Sequence, residues 1–444
     1  MMISQTRRAM QFVAFCVCLT SLLPFDSAGR CSAQQSPPAA PRQFSGRTMG
    51  TTYMVKVAGA DSVDDDTLRL TIDGELRSVS DQMSTYLKSS EITGFNESTS
   101  TDWYNVSPEF AHVVSVAQEI AVKTEGAFDV TVEPLVNAWS FGPDERSNTV
   151  PDAAQIKTLL ESIGYSKLEV RQQPPALRKS IPQLQIDLSS IAKGHGVDRV
   201  VQVLQELGAE NVFVEIGGEV RTHGQKPSGA WRVGIQLPDA VGESVMVAHA
   251  MQPTDPAGNA MATSGDYRNF FTVDGKRYSH TIDPRTGSPV NHDLASVTVV
   301  AKTCMEADAW ATALNVVGPG PALALAEQNQ LNTLLVSRSQ PEQYEMAGTG
   351  VLAQYAQTAA AAADATSKNW VSTLLPVVLL SFVVFAIILF SMAIGVLFGR
   401  KSISGSCGGL ASKTNEDGST SCSLCSNPSD ACKELRDKMA ESKH

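Results

Sequence analysis

The chain has 444 residues, 18% of them charged, with a formal net charge of −11. That length accommodates two or three domains. The acidic balance argues against a nucleic-acid partner, which would call for a basic face. The eight cysteines are unevenly spread: Cys16, Cys18 and Cys31 near the start, Cys304 alone, and Cys407, Cys422, Cys425 and Cys432 at the end. The large domain between them therefore has no internal disulfide framework.

At the N-terminus, Arg7 and Arg8 precede an apolar run, Phe12–Leu23, and then small residues. This is the layout of a secretory signal, with cleavage expected near Ala28 or Ala33 and an uncleaved anchor as the alternative. We take residues 1–33 as signal peptide and 34–43 as a Pro- and Gln-rich linker. Met49-Gly50-Thr51-Thr52-Tyr53 then leads into a strand predicted over Tyr53–Ala58. Asp64–Met83 has helical spacing, with Leu68, Ile72, Leu76, Val79 and Met83 on one face. Tyr86 follows in a loop, where an aromatic ring suits a planar ligand but is also common without one. Ser107 and Pro108 signal the start of the next helix, Pro108–Thr124.

Gly126-Ala127-Phe128-Asp129 opens a segment reaching Pro134-Leu135. A buried Asp beside Phe suits hydrogen bonds to a nucleotide ring; a helix cap with a core aromatic is the plain alternative. Asp152–Ile163 reads as a helix, Lys167–Val170 as a strand and Gln172–Pro182 as a loop. Leu184–Asp198 reads as a strand, a turn and a helix start, containing Asp187, Ser190, Lys193, Gly194 and Gly196. A helix N-terminus with free N–H groups and a nearby lysine suits a pyrophosphate. The helix runs to Leu207, and strands are predicted over Asn211–Ile216 and Trp231–Gln236. Gly217-Gly218-Glu219 between them leaves backbone room near a nucleotide, or is only a bulge. Val245–Met251 and Asn259–Ala262 are expected to continue the same sheet.

Ala262–Val290 gathers the densest chemistry. Phe270–Val273 and Lys276–Ile282 form two strands around Asp274-Gly275, a hairpin signal. Ser264, Asp266, Tyr267, His280 and Asp283 all lie on it. The Asp283-Pro284 and Thr286-Gly287 turn would hold His280, a group that titrates near neutrality. Leu294–Ala301 is a strand. On the helix that follows, Asp308 and Thr312 are four residues apart and share a face. Their hard oxygens suit Mg²⁺, although such a pair also occurs within an ordinary packed helix. Leu323–Gln328 and Leu331–Ser337 close the domain.

An Ala-rich linker, residues 341–370, precedes an uncharged apolar run, Val371–Phe398. It exceeds the roughly 20 residues that a membrane span needs. Arg400-Lys401 follow at once and put that end in the cytoplasm. Residues 399–444 contain Cys407 and the Cys422-x-x-Cys425 pair with Cys432 beyond. Thiols in a reducing compartment point to a metal site, Fe, Fe–S or Zn, rather than disulfides.

MGTTY, GAFDVTVEPL, DLSSIAKGHGVD, GGE, ATSGDYRNFF with YSHTIDPRTGSPV, and the Ala-Asp-x-x-x-Thr at 307–312 stand in one order over Phe44–Ser337. Together they resemble the ApbE family, flavin transferases that move FMN from FAD onto a protein. The resemblance implies an α+β domain over 44–340. It implies contacts to the flavin nucleotide from Met49, Tyr86, Ala127, Phe128, Asp129, Asp187, Lys193 and Ile282. It further implies Mg²⁺ held by Asp308, Thr312 and Ser190. FAD is then the substrate, and FMN passes to a Thr or Ser of an acceptor protein with release of AMP. His280 is the candidate base, with Asp308 assisting through the metal. The span with RKSISGSCGGL and the Cys-x-x-Cys pair resembles NqrM, a maturation factor of the Na⁺-pumping NADH:quinone reductase thought to supply iron. This implies a single-pass protein of a bacterial inner membrane, its catalytic domain periplasmic, its tail cytoplasmic, and its acceptors redox-pump subunits. The alternatives are an FAD pyrophosphatase giving FMN and AMP, or a non-catalytic flavin-binding or metal-delivery factor.

Overall fold

The computed structural model describes residues 40–143, 149–226, 228–238, 244–267, 269–340 and 343–397, and the short pairs 413–414 and 420–421. The expected signal peptide and Cys407, Cys422, Cys425 and Cys432 lie outside the described residues. The chain divides into two units, Met1–Thr358 and Ala359–His444.

In the first unit the elements run β1 (Arg42–Thr48), β2 (Thr51–Ala58), α1 (Asp65–Met83), α2 (Glu91–Glu97), β3 (Tyr104–Asn105), α3 (Pro108–Lys123), α4 (Glu133–Ala138), α5 (Ala153–Ser162), β4 (Leu168–Gln172) and β5 (Pro175–Lys179). They continue with α6 (Ala192–Glu206), β6 (Asn211–Ile216), β7 (Glu219–His223), β8 (Trp231–Gln236), β9 (Val245–Met251) and β10 (Ala260–Gly265). Then come β11 (Phe270–Val273), β12 (Lys276–Ser279), β13 (Ile282–Asp283), β14 (Ser288–Pro289), β15 (Leu294–Ala301), α7 (Cys304–Val317), α8 (Pro319–Gln328), β16 (Asn332–Gln340), β17 (Gln343–Gly348) and the start of α9 (Ala353–Leu397). The α+β expectation holds.

An eight-stranded sheet in the order β1-β2-β6-β7-β10-β15-β16-β17 forms the frame. Every neighbouring pair in it is antiparallel. One face carries α6 and α7, with Val55, Val57, Val212, Val214, Val200 and Leu204 in one core and Val297, Val299, Leu335 and Leu314 in the adjoining one. On the other face, Phe213, Val300, Leu334 and Val336 pack under Trp231, Ile235 and Leu352. The β8–β9 pair is thus a separate layer, not a continuation of the main sheet as the sequence suggested. The main sheet itself extends beyond residue 340, through β17.

Local signals explain most boundaries. Asp64 accepts a hydrogen bond from Thr67 N at 2.8 Å and caps α1, and Ser107 caps α3 ahead of Pro108. Asp274 and Gly275 both have positive φ, as the two-residue turn between β11 and β12 requires. Met49-Gly50 and Gly217-Gly218 make equivalent turns between β1 and β2 and between β6 and β7. Gly217-Gly218 is therefore a hairpin turn rather than a bulge. Because Gly217 N donates to Thr52 O at 3.1 Å, both turns sit at one end of the sheet.

Two expectations need correction. The predicted loop Gln172–Pro182 contains β5, paired with β4. Lys179 at the end of β5 is buried and donates to Phe95 O, Ser98 O and Leu184 O at 2.9, 2.7 and 2.9 Å. The predicted strand at Leu184–Leu188 is extended but pairs with no strand. The Asn96 side chain replaces the partner, accepting from Ile186 N and donating to Ile186 O at 2.8 Å each.

In the second unit, Leu374–Ser391 is long and apolar enough to cross a membrane, and none of it is buried. Pro376 lies near its start.

Candidate active site

The start of α6 is pressed against the start of α7. Gly194 allows this: a Cβ there would stand 2.3 Å from the Cys304 carbonyl oxygen. One turn later, Asp198 accepts hydrogen bonds from Cys304 N and Met305 N, both at 2.9 Å, and so caps α7. Its Oδ1, which takes the Cys304 N–H, also accepts from Arg221 at 2.7 Å. This clamp fixes where Asp308 falls. Asp308 is buried, and its Oδ2 accepts from Gly194 N at 3.0 Å and lies 3.6 Å from Lys193 Nζ. Lys193 Nζ is also 3.2 Å from Glu219 Oε1 and 3.3 Å from Ser189 O. Glu219 arrives from the first position of β7, straight after the Gly217-Gly218 turn.

One half-buried ammonium thus faces two buried carboxylates. Burial raises the pKa of Asp308, with the ammonium of Lys193 opposing it. Burial likewise pushes Glu219 up to about 7, again against Lys193. Burial disfavours the charged form of Lys193, but the two carboxylates more than offset this and hold its pKa above the ordinary lysine value. Glu219 Oε2 is buried and has no hydrogen-bond partner among the described residues. Negative charge with oxygens to spare suits a divalent cation. No cluster of three or more His, Cys, Asp or Glu occurs among the described residues. A cation would therefore take Asp308 together with hydroxyl or carbonyl oxygens, the donor set of Mg²⁺. Thr312 lies one turn along the same face of α7, its hydroxyl 3.0 Å from Ser264 Oγ on β10. Ser190 sits half-buried at the entrance to α6.

The hairpin β11–β12 approaches from the end of β10. Asp266 is gripped by Arg338 through Oδ1 at 2.7 Å and Oδ2 at 3.0 Å, and its carbonyl accepts from Arg277 on β12. His280 N and Nδ1 both bond Asn269 O, at 3.1 and 3.0 Å. A carbonyl only accepts, so Nδ1 carries the ring proton and Nε2 is left with its lone pair. Burial lowers the pKa of His280, and the charge of Lys193 lowers it further, while the bond to Asn269 and the charge of Asp266 act in the other direction. His280 is therefore neutral at physiological pH, and it feels the field of the lysine site.

A row of rings backs the hairpin: Trp139–Tyr278 at 5.5 Å, Tyr278–Phe271 at 5.3 Å, Phe271–Phe141 at 5.4 Å and Phe141–His280 at 6.3 Å. Tyr86, 65% exposed, donates through its hydroxyl to Phe141 O at 3.4 Å. Met49 has positive φ, and its methyl lies against Gly196 of α6, where a Cβ would approach within 2.8 Å.

Other sequence-predicted positions sit deeper. Asp129 Oδ1 accepts from Thr131 N and Oγ1 at 2.8 and 2.7 Å, and Oδ2 from Tyr165 N at 2.7 Å. Asp187 Oδ1 accepts from Ser189 N at 2.6 Å, and Asp187 N donates to Val130 O at 2.7 Å. The backbone bond from Asp187 N to Val130 O ties the Phe128 segment to the approach of α6, and the Asp129 carboxylate ties it to Tyr165. Ala127 and Phe128 are core residues, and Ile282 is buried with Leu135, Trp139 and Phe141. Sequence reasoning did not single out Glu219 or the ring row. The signal for Glu219 was present: a carboxylate directly after the glycine pair.

The ApbE family model matches residues 49–335, and that of the family described as (Na+)-NQR maturation NqrM matches residues 396–444. A Vibrio cholerae protein named FAD:protein FMN transferase is 45% identical over 304 residues, 68% of this chain and 89% of that one. A protein of the same name from Escherichia coli K12 is 36% identical over 296 residues, 66% of this chain and 83% of that one. Among solved structures, the flavin transferase ApbE from Vibrio cholerae is similar with a TM-score of 0.64 and 43% identity, covering 71% of this chain and 99% of that one. The apo flavinyl transferase ApbE of Pseudomonas stutzeri gives a TM-score of 0.62 at 36% identity, covering 70% and 94%.

Proposed function

This chain belongs to the ApbE family, and we propose that it is an FAD:protein FMN transferase acting through the Lys193–Asp308–His280 site. The carrying observation is Lys193, held between two buried carboxylates at a helix start and within the field of a neutral, correctly protonated His280. Lys193, at the start of α6, receives the pyrophosphate of FAD. Met49 and Tyr86 flank the flavin nucleotide. His280 Nε2 takes the proton from the acceptor Thr or Ser hydroxyl, whose oxygen bonds to the FMN-side phosphorus. The phosphorus–oxygen bond to AMP breaks, and AMP leaves with the electron pair. Asp308, Thr312 and Ser190 would hold Mg²⁺, which supplies charge neutralisation of the pyrophosphate. Asn269 keeps the His280 tautomer, and Glu219 and Asp308 keep Lys193 charged.

The match of residues 396–444 to NqrM supports a client among redox-pump subunits, with the tail cysteines delivering Fe or an Fe–S unit. Arg400-Lys401 directly after the apolar helix support a reading in which the tail is cytoplasmic and the transferase domain lies in the periplasm, at a bacterial inner membrane. Incubation of the purified protein with FAD, Mg²⁺ and membranes of a strain lacking it tests the reading by in-gel flavin fluorescence. New fluorescent bands are expected. Free FMN and AMP without any labelled protein would instead identify a pyrophosphatase.

A further inference from the structure

Beside the hairpin lies a groove of about 480 Å³ that the lysine site does not use. One wall is α5, through Ile156, Lys157 and Leu160, and the other is β12, through Lys276, Arg277 and Tyr278. The floor is fixed. Trp139 Nε1 donates to Gly287 O at 2.8 Å, and Gly287, at positive φ, would put a Cβ 2.7 Å from Ile156. Three cations line the groove, and no Asp or Glu among the described residues does. This stands against a chain of net charge −11. Lys157 makes no ion pair or hydrogen bond among the described residues, and Lys276 only overhangs the Tyr278 ring at 5.1 Å. The same strand that forms this wall reaches His280 two residues after Tyr278, roughly 7 Å along an extended chain.

We propose that the groove receives an extended, acidic segment of the acceptor protein, adjoining the Thr or Ser that takes up FMN, and so steers that hydroxyl along β12 toward His280. The inference rests on the transferase reading above. Apolar side chains flanked by Lys157 and Lys276, with Arg277 already engaged by Asp266, suit an acidic peptide, whose charges gain from complementarity while its backbone lies against the walls.

The test uses the full-length protein in detergent and a fluorescent, Thr-containing peptide rich in Asp and Glu, compared with its Asn and Gln counterpart. Fluorescence anisotropy should show the acidic peptide bound about tenfold more tightly, a preference that weakens with added salt. The double variant Lys157→Glu/Lys276→Glu should lose that preference while FAD affinity stays within twofold of the parent, which also reports that the variant is folded. Equal binding of the two peptides, or a preference that survives the charge reversal, overturns the proposal. A parallel loss of FAD affinity overturns it as well, because the groove would then belong to the dinucleotide. Since binding is read without turnover, failure here is separate from failure to detect FMN transfer by the parent protein.

Discussion

The lysine site and the histidine hairpin are built in opposite ways. The first joins α6, α7 and β7, elements far apart in sequence, and its carboxylates are almost wholly buried. The second is a local hairpin, half-exposed, whose base is oriented by a single carbonyl. Burial strengthens electrostatics and fixes distance, which suits charge on a pyrophosphate. A hairpin at the surface leaves room for a second protein to present its hydroxyl. The contrast suggests that damage to the first region removes the reaction altogether, whereas damage to the second removes only the proton transfer.

That contrast can be broken in graded steps. Asp308→Asn keeps the shape and can still accept from Gly194 N, but it removes the charge. FMN transfer should fall on the order of 10³-fold with little change in melting temperature. His280→Gln should lower the transfer rate about 10²-fold while FAD binding, followed by flavin fluorescence, stays as in the parent. The pH profile sharpens this point. Because the base must be neutral and burial holds its pKa below the ordinary 6.5, transfer should persist as the pH falls to that value and decline only below it. Glu219→Gln should weaken FAD affinity about tenfold by loosening Lys193, measured by titration calorimetry.

The smallest effect concerns stability alone. His195 is buried on α6, and burial, with Arg199 and His112, depresses its pKa from 6.5 to about 4. The unfolded chain binds that proton first as the pH drops, so the stability present above 6.5 is lost progressively down to about 4. His195→Gln should flatten this acid limb in thermal melts and leave transfer at neutral pH unchanged.

The hairpin was readable because its signals are local. Asp274-Gly275 dictates the turn, and the polar residues lie within one stretch of chain. Caps at Asp64 and Ser107 set helix starts within a residue for the same reason. The pairing of Asp308 with Thr312 was also visible, since helical periodicity is a local property. What sequence could not supply was the closing of distances across the fold. That Glu219 meets Lys193 depends on a glycine turn beside the β1–β2 turn, and on Gly194 letting two helices touch. That Tyr165, remote in sequence, donates to the second oxygen of Asp129 was likewise not readable from the chain. Nor could sequence show that Lys179, within the expected loop Gln172–Pro182, is buried and satisfied by three carbonyls remote from it or across the turn.

The most direct measurement is mass spectrometry of an acceptor protein after incubation with FAD, Mg²⁺ and either the parent chain or His280→Gln. One FMN on a Thr or Ser, with one AMP released per adduct and a rate that collapses in the variant, is the predicted result. An equal yield from the variant, or AMP formed with no modified acceptor, would contradict the proposed transfer.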